Sequence, residues 1–349
     1  MGVFGNKAAV VRLFIILTTT LFTAPAVHAQ FKKKDTTYKP FRFAAIPMIN
    51  YNRTQGFIVG AMTQGYYKLN RNDTVSPASS TGLLGIYTGA QTWMIGIGEQ
   101  LYFNQDKWRI RAFLMKGNVN YQYFNEDESN NAGKYEDYSN DVVMAVVQIQ
   151  RKVWNRIYVG LYGEYNKTKT YFTAHNDSLN EQNLSNLGYI ISQDSRNDVQ
   201  FPTKGIFVNF KNQFYREWTG SDSNFTRFRI DYTQFFDLLK DQRHILVARA
   251  NMEIATGNVP FQAQAIVGRD DIRGYSQGQF RGNQVYALQS EYRWMFNNSK
   301  FGMVGFAGVA SAVNSFSDIF KSELLPGVGA GIRYRLIPAL KINIGVDAG

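Results

Sequence analysis

The sequence predicts an all-β protein, an antiparallel β-barrel that crosses a membrane with its strands. Three observations predict this class: a secretory signal opens the chain, aromatic residues make up 15% of it, and apolar and polar residues alternate along its second half. No stretch after the signal has the length and apolar character of a spanning helix. A closed barrel is the other structure that satisfies every backbone hydrogen bond in lipid. A secreted soluble β-protein is the competing interpretation.

Residues 1–29 have the pattern of a signal peptide. Lys7 and Arg12 supply its basic segment, an apolar run follows over 13–22, and small residues end it at Ala29. We expect a short basic periplasmic tail over 30–40 and an outer-membrane β-barrel over 41–349. The absence of cysteine excludes disulfides, thiolate metal sites and a lipidated cysteine.

Four segments show the alternation most clearly, namely 225–236, 244–254, 285–296 and 340–347. Period two places alternate residues on opposite faces of a sheet. In a membrane barrel the apolar set faces lipid and the polar set faces a wet lumen. By this parity Asp231, Glu253 and Glu291 point inward on neighbouring strands, and Asp347 belongs to the polar set of the last segment.

Connection lengths also favour a barrel, because short turns and long loops alternate over most of the chain. The early connection at 70–80 is long where a short turn is expected. We count about 15 strands. Several tyrosines and tryptophans near strand ends are typical of the aromatic girdles at a membrane interface; they are Tyr66, Tyr67, Tyr102, Trp108, Trp154 and Trp294.

The longest connection, 257–283, contains the stretch Gly268, Arg269, Asp270, Asp271, Ile272, Arg273, Gly274 and Tyr275. Its apolar residues indicate that it packs against something. Gly274 allows a tight tip because glycine tolerates positive φ, and Arg273 would present there a rigid fork suited to carboxylates. The alternative is a surface loop with an ordinary arginine. The two adjacent acids are expected to cap a turn or to pair with the arginines beside them.

This stretch resembles the Arg-Gly-Phe/Tyr loop motif of the bacterial surface antigen family, the outer-membrane barrel superfamily that includes BamA and TamA. The resemblance extends in order over nearly the whole chain after the signal. It includes Ser290-Glu291-Tyr292-Arg293, the hairpin residues 195–198 and 201–205, and the stretch 46–56. The family implies sixteen strands, so we expect the last strand to be missing and the chain to be a short member without periplasmic repeat domains.

The resemblance implies that the loop folds into the lumen and that acidic groups of the inner wall hold its arginine. Glu291 is the first choice of partner for Arg273, followed by Glu253 and Asp231, and Arg281, Arg293 and Arg333 are possible neighbours. Members of the family often carry an acid on the strand after Glu291. Here Gly308 stands in that place, which leaves the arginine with fewer expected partners.

The function implied by the resemblance is assembly and insertion of outer-membrane proteins, or translocation across the outer membrane of a Gram-negative bacterium. A passive channel or structural surface barrel is one alternative, and a partner barrel for a surface lipoprotein or exported polypeptide is another. The expected partners are outer-membrane lipid, lipopolysaccharide, unfolded outer-membrane proteins and a separate periplasmic or surface protein. The scattered cations do not indicate nucleic-acid binding.

We expect no enzyme, no catalytic residues, no cofactor and no metal site. The three histidines, His28, His175 and His244, have no carboxylate at ligand spacing. The nucleophile-elbow and phosphate-loop motifs are absent from the sequence.

Overall fold

A computed structural model describes residues 41–52, 55–125, 134–172, 180–198, 201–268, 271–275, 280–320, 322–337 and 342–349. The expected signal peptide and basic tail lie outside these residues. The structure is nearly all-β, with 69% of residues in strands and 3% in helices. Within the described residues, no helix is long and apolar enough to cross a membrane.

The described residues form eighteen strands. They are β1 (Phe41–Asn52), β2 (Gly56–Tyr67), β3 (Ser79–Thr88), β4 (Trp93–Phe103), β5 (Trp108–Asn125), β6 (Lys134–Trp154), β7 (Ile157–Phe172), β8 (Asn180–Asn183), β9 (Asn186–Asp194), β10 (Gly205–Tyr215), β11 (Phe225–Asp237), β12 (His244–Gly257), β13 (Ala265–Ile266), β14 (Arg281–Gly282), β15 (Gln284–Met295), β16 (Phe301–Val313), β17 (Leu325–Ile337) and β18 (Ile342–Ala348). Three short 3₁₀ turns, Glu217–Thr219, Phe261–Ala263 and Phe316–Asp318, lie in connections.

One antiparallel sheet contains all of these strands except β13 and β14, which pair with each other. Its strands follow in chain order from β1 to β7, then β9 to β12, then β15 to β18, while β8 pairs with β7 at the side of this path. The path contains fifteen strands, which confirms the predicted number. The sheet is not closed, since β1 and β18 are not hydrogen-bonded to each other within the described residues.

Burial alternates along the strands and separates an inner from an outer face. On β3, Leu84 is 5% exposed and Leu83 is 55% exposed. The inner face of β2 to β7 carries an apolar cluster that includes Ile58, Phe113 and Val146. The prediction of a wet, polar lumen is therefore wrong for this wall, because these strands carry apolar residues on both faces.

The predicted aromatic girdle is partly wrong. Trp154 and Trp294 lie on the exposed side, at 75% and 41% exposure. Tyr102 lies on the inner face at 7% exposure, where its hydroxyl donates to Gln100 over 3.0 Å. A tyrosine at a strand end can serve either face, because its ring is apolar and its hydroxyl is polar.

The connection between β12 and β15 packs on the inner face of β15, β16 and β17. Val267 and Ile272 are both 0% exposed. They form a cluster with Val285, Ala310 and Leu325, which belong to those three strands. The apolar residues of the connection are therefore buried against the wall, and the removal of their surface from water stabilises this arrangement.

Candidate functional site

Arg273 lies at the tip of the inner connection, between buried Ile272 and Gly274, whose φ is +113°. The connection lies close against β17. A methyl group built on Gly327 would lie 2.4 Å from the Arg273 carbonyl oxygen, so this approach requires a residue without a side chain. The hydroxyl of Tyr275 donates to the Pro326 carbonyl over 2.7 Å and fixes the following part of the tip.

The structure brings Arg273 and Glu291 together. The Nη2 of Arg273 donates to Glu291 Oε2, and the Nε of Arg293 donates to Glu291 Oε1. The side chains of Arg273 and Glu291 are only 10% and 6% exposed. The Arg273 backbone N–H donates to Gln289 Oε1 over 3.3 Å, and its guanidinium lies 4.5 Å from the ring centroid of Phe306. Charge-assisted bonds of this kind are stronger than neutral ones, and burial reduces their screening.

Asp347 is a second carboxylate near Arg273, and the sequence did not single it out as a partner. Its Oδ2 lies 3.6 Å from Arg273 Nη1, and its Oδ1 accepts from Arg333 Nη1. Asp347 lies on β18, its side chain is 5% exposed, and the inward parity of the segment 340–347 was the available signal. Gly308 on β16 supplies no carboxylate to Arg273, and Asp347 on β18 provides one instead.

These residues form one group, here named the Arg273 cluster: Arg273, Glu291, Arg293, Arg333 and Asp347. Three arginines face two carboxylates. Each carboxylate contacts Arg273 and one further arginine, so Arg273 lies between the two pairs. The cluster joins the connection to β15, β17 and β18 at the same time.

The other two predicted partners do not contact Arg273. Arg229 Nε lies 3.0 Å from Asp231 Oδ1, and Arg229 Nη1 lies 2.7 Å from Glu253 Oε2. Glu253 also lies 3.4 Å from Arg227. Both acids have the inward parity that the sequence indicated, but arginines of β11 neutralise them: Arg229 pairs with Asp231 on its own strand, and Arg227 and Arg229 pair with Glu253 on the neighbouring strand β12. Parity identifies the face and does not identify the partner.

Asp271 caps the turn at the start of the motif. Its Oδ2 accepts the Gly268 backbone N–H over 3.0 Å, and its Oδ1 accepts from Asn251 over 3.3 Å. This is the turn-capping role expected of an adjacent acid. Arg269 and Asp270 lie outside the described residues. Arg281 contacts the ring of Phe261 at 3.9 Å and belongs to another part of the connection.

The geometry of the Arg273 cluster suits attachment of the connection to the wall, because each carboxylate contacts two arginines. The described residues contain no group of three histidine, cysteine, aspartate or glutamate side chains placed to hold a metal ion. His244, named in the sequence analysis, contacts the hydroxyl of Tyr292 at 2.6 Å. What the cluster does is hold a buried segment against the wall next to the last strand of the sheet.

Comparison with known proteins gives the same architecture. The family model described as the Omp85 superfamily domain matches residues 62–346. An outer membrane protein assembly factor BamA from Nitratidesulfovibrio vulgaris is 25% identical over 173 residues, which cover 44% of this chain and 22% of that protein.

Two solved structures of low identity share the fold. BamA from Haemophilus ducreyi lacking POTRA domains 1–3 has a TM-score of 0.62 at 13% identity, over 89% of this chain and 66% of that one. CdiB from Escherichia coli has a TM-score of 0.59 at 12% identity, over 86% of this chain and 57% of that one. This chain spans less than two thirds of the length of each of these proteins.

Proposed function

From the premise that this chain belongs to the Omp85 superfamily, we propose that it inserts outer-membrane proteins into the membrane or passes polypeptides across it. The similar proteins include an outer membrane protein assembly factor, which supports this class of function. The clients under this proposal are unfolded barrel proteins or exported polypeptides, and the barrel itself lies among outer-membrane lipid and lipopolysaccharide.

One observation supports the proposal above the others: β1 and β18 are both edges of the sheet and are not bonded to each other within the described residues. An edge strand presents unpaired backbone N–H and C=O groups, which cost free energy in lipid. A client segment in extended conformation can satisfy them by adding a strand. The proposed mechanism is pairing of client strands with these edges.

The Arg273 cluster has a defined part in this mechanism. Through Asp347 it contacts β18 directly, and through Glu291 it contacts β15. The buried connection thereby supports the wall behind the edge strand. We propose that this support keeps the backbone of β18 in a fixed position, so that an incoming strand meets a preorganised template and loses less conformational freedom on pairing.

The test is an insertion assay in vesicles. The purified full chain is reconstituted, an unfolded eight-stranded outer-membrane barrel is added, and client folding is followed by its heat-dependent shift on gels. We expect the chain to accelerate client folding by about tenfold over empty vesicles, equal to ~1.4 kcal/mol of barrier. The control is the variant Gly305→Ala, whose added methyl meets no atom within 4 Å. It should accelerate client folding as much as the wild-type chain does.

The contrary result is equally specific. Vesicles that conduct ions without accelerating client folding would contradict the proposal and would favour the passive channel. An effect that needs a second, separately added protein would instead favour the partner-barrel alternative.

A further inference from the structure

The two ends of the strands carry opposite exposed charge. Six connections, described except for residues 199 and 200, lie at one end of the sheet, here named the turn end. They are 68–78, 104–107, 155–156, 195–204, 238–243 and 296–300. The connections at the opposite end, here named the loop end, include 216–224, 258–283 and 314–324.

Every one of the six turn-end connections contains an exposed cation. In chain order they are Arg71, Lys107, Arg156, Lys204, Lys240 and Lys300. None of the six forms an ion pair with a described residue. Together the six connections contain nine lysines and arginines and four aspartates. Two of these acids are paired with arginines, since Asp106 lies 2.7 Å from Arg109 and Asp241 lies 3.0 Å from Arg243. The net charge of the turn end is therefore positive.

The loop end has the opposite character among the described residues. Glu217, Asp222 and Glu323 are exposed there. Two lysines near this end, Lys167 and Lys169, both contact Glu181. The unequal distribution lies along the strands, and it is not a consequence of the basic composition of the whole chain.

Backbone preference does not explain the turn-end cations. Arg156 and Lys240 have φ values of 61° and 58°. Glycine and asparagine adopt this left-handed region at lower cost than long side chains do. The turns alone would thus favour other residues at both positions.

Large apolar side chains are exposed at the same level. Trp154 is 75% exposed two residues before Arg156, Leu239 is 65% exposed beside Lys240, and Phe301 is 51% exposed beside Lys300. Aromatic and cationic residues together are typical of a membrane interface, where the ring lies at the headgroup level. The cationic ends of neighbouring side chains then reach the phosphates.

We propose that the turn end binds the headgroups of anionic phospholipids in the leaflet that it faces, through one cation on each of these six connections. Charge complementarity and the adjacent apolar side chains favour a lipid surface over an acidic protein, which would not need exposed tryptophan and leucine at the same level. This inference rests on the outer-membrane placement and not on client insertion.

The test measures which lipid stays with the protein. The purified full chain is equilibrated with detergent micelles that contain equal amounts of phosphatidylcholine and phosphatidylglycerol, separated from free micelles, and its lipids are extracted and quantified. We expect about threefold enrichment of phosphatidylglycerol at ~0.05 M salt and loss of the enrichment at ~0.5 M salt, where screening is short-ranged.

Two charge-matched variants decide where the lipid binds. R156Q/K240Q removes two cations from the turn end and should reduce the enrichment by about half or more. K167Q/K169Q removes two cations near the loop end and should leave it unchanged. The heat-dependent gel shift of each variant verifies that its barrel is folded.

Three results would overturn the proposal. They are an extracted lipid ratio equal to the ratio supplied, equal loss of enrichment in both variants, and a turn-end variant that retains lipid but no longer binds a polyglutamate peptide. The last result would assign the surface to an acidic protein. The client-insertion assay is independent of all three, so a failure here and a failure of the proposed function are distinguishable.

Discussion

Arg273 Nη1 lies 3.6 Å from Asp347 Oδ2, although the first residue belongs to an inner connection and the second to the last described strand. The same guanidinium contacts Glu291 on β15. One side chain thus joins the connection to two strands of the wall. This relationship explains why the connection is held on the inner face, and the first three predictions below follow from it.

Replacement of Arg273 should destabilise the folded barrel. Arg273→Ala should lower the free energy of unfolding by about 1.5–3 kcal/mol, the range for hydrogen bonds to charged groups. Arg293 and Arg333 still neutralise the two acids, which limits the loss. Arg273→Lys keeps the charge but cannot form the planar fork. Its free energy of unfolding should therefore lie between those of the wild type and Arg273→Ala. Urea unfolding in detergent measures both free energies, with Lys116→Ala, which removes an exposed cation on β5, as control. A wild-type midpoint for Arg273→Ala would contradict the anchoring role.

The two carboxylates should differ in their coupling to Arg273. A double-mutant cycle isolates each pairwise interaction. We expect a larger coupling energy between Arg273 and Glu291, which are in direct contact, than between Arg273 and Asp347 at 3.6 Å. The cycle combines Arg273→Ala with Glu291→Gln in one series and with Asp347→Asn in the other. Equal coupling in both series would show that Arg273 lies symmetrically between the acids.

Gly327 should not tolerate a methyl group. Gly327→Ala places a carbon 2.4 Å from the Arg273 carbonyl oxygen and 2.8 Å from an Ile272 side-chain carbon. Such overpacking costs ~1–3 kcal/mol, so the connection must move. Limited proteolysis of 258–283 should become faster. Gly305→Ala on the adjacent strand meets no atom within 4 Å and should behave as wild type. Equal proteolysis of both variants would refute close packing of the tip on β17.

The connection 68–78 should open in acid. Asp73 accepts hydrogen bonds from the Ser76 hydroxyl and from the backbone N–H groups of Ser76, Gln105 and Val75, and these bonds hold the pKa of Asp73 below its usual value. A depressed folded-state pKa stabilises the fold above the unfolded value, ~3.9, and this stabilisation is lost as the pH falls through the lower folded value. The protection of the amides in 68–78 from hydrogen exchange, relative to the intrinsic exchange rate at each pH, should therefore decrease below pH ~4.

The control for this prediction is Asp73→Asn, which cannot ionise. It should show the reduced protection already at neutral pH, with little further change in acid. Protection in the variant that still falls steeply in acid would assign the pH dependence to another group.

Much of the architecture follows from the sequence, because a period of two assigns each residue of a strand to one of the two faces of the sheet. Parity placed Glu291 on the inward face, where the structure brings it into contact with Arg273 of the connection, and the predicted number of strands was confirmed. Parity did not predict that Arg229 neutralises Glu253, since that requires the register between β11 and β12, which places the two residues opposite each other. Parity assigns a side chain to a face of the sheet, whereas register decides which residue of the next strand lies opposite it.

Two further features could not be predicted from the sequence, and each has a physical reason. Asp347 joins Arg273 only when β18 pairs with β17 and turns the carboxylate toward the connection, and the motif of the connection contains no signal for this. The apolar inner wall of β2 to β7 was missed because Leu83 and Leu84 are both apolar, so that alternation does not distinguish the faces. The long connection could be recognised because its apolar residues are frequent and its length is unusual.

The central claim is that client strands pair with the sheet edges, and site-specific cross-linking tests it most directly. The chain has no cysteine, so single cysteines can be introduced at Ala45 on β1, at Val346 on β18, and at Ile191 on β9 as a control within the sheet. Each variant is mixed in vesicles with an unfolded barrel client that carries one cysteine in its last strand, and a thiol oxidant is added during insertion to accept the two electrons released by each disulfide. We predict disulfide adducts at Ala45 or Val346 and none at Ile191. Client folding that is accelerated without any edge adduct, or adducts equally frequent at Ile191, would contradict the account.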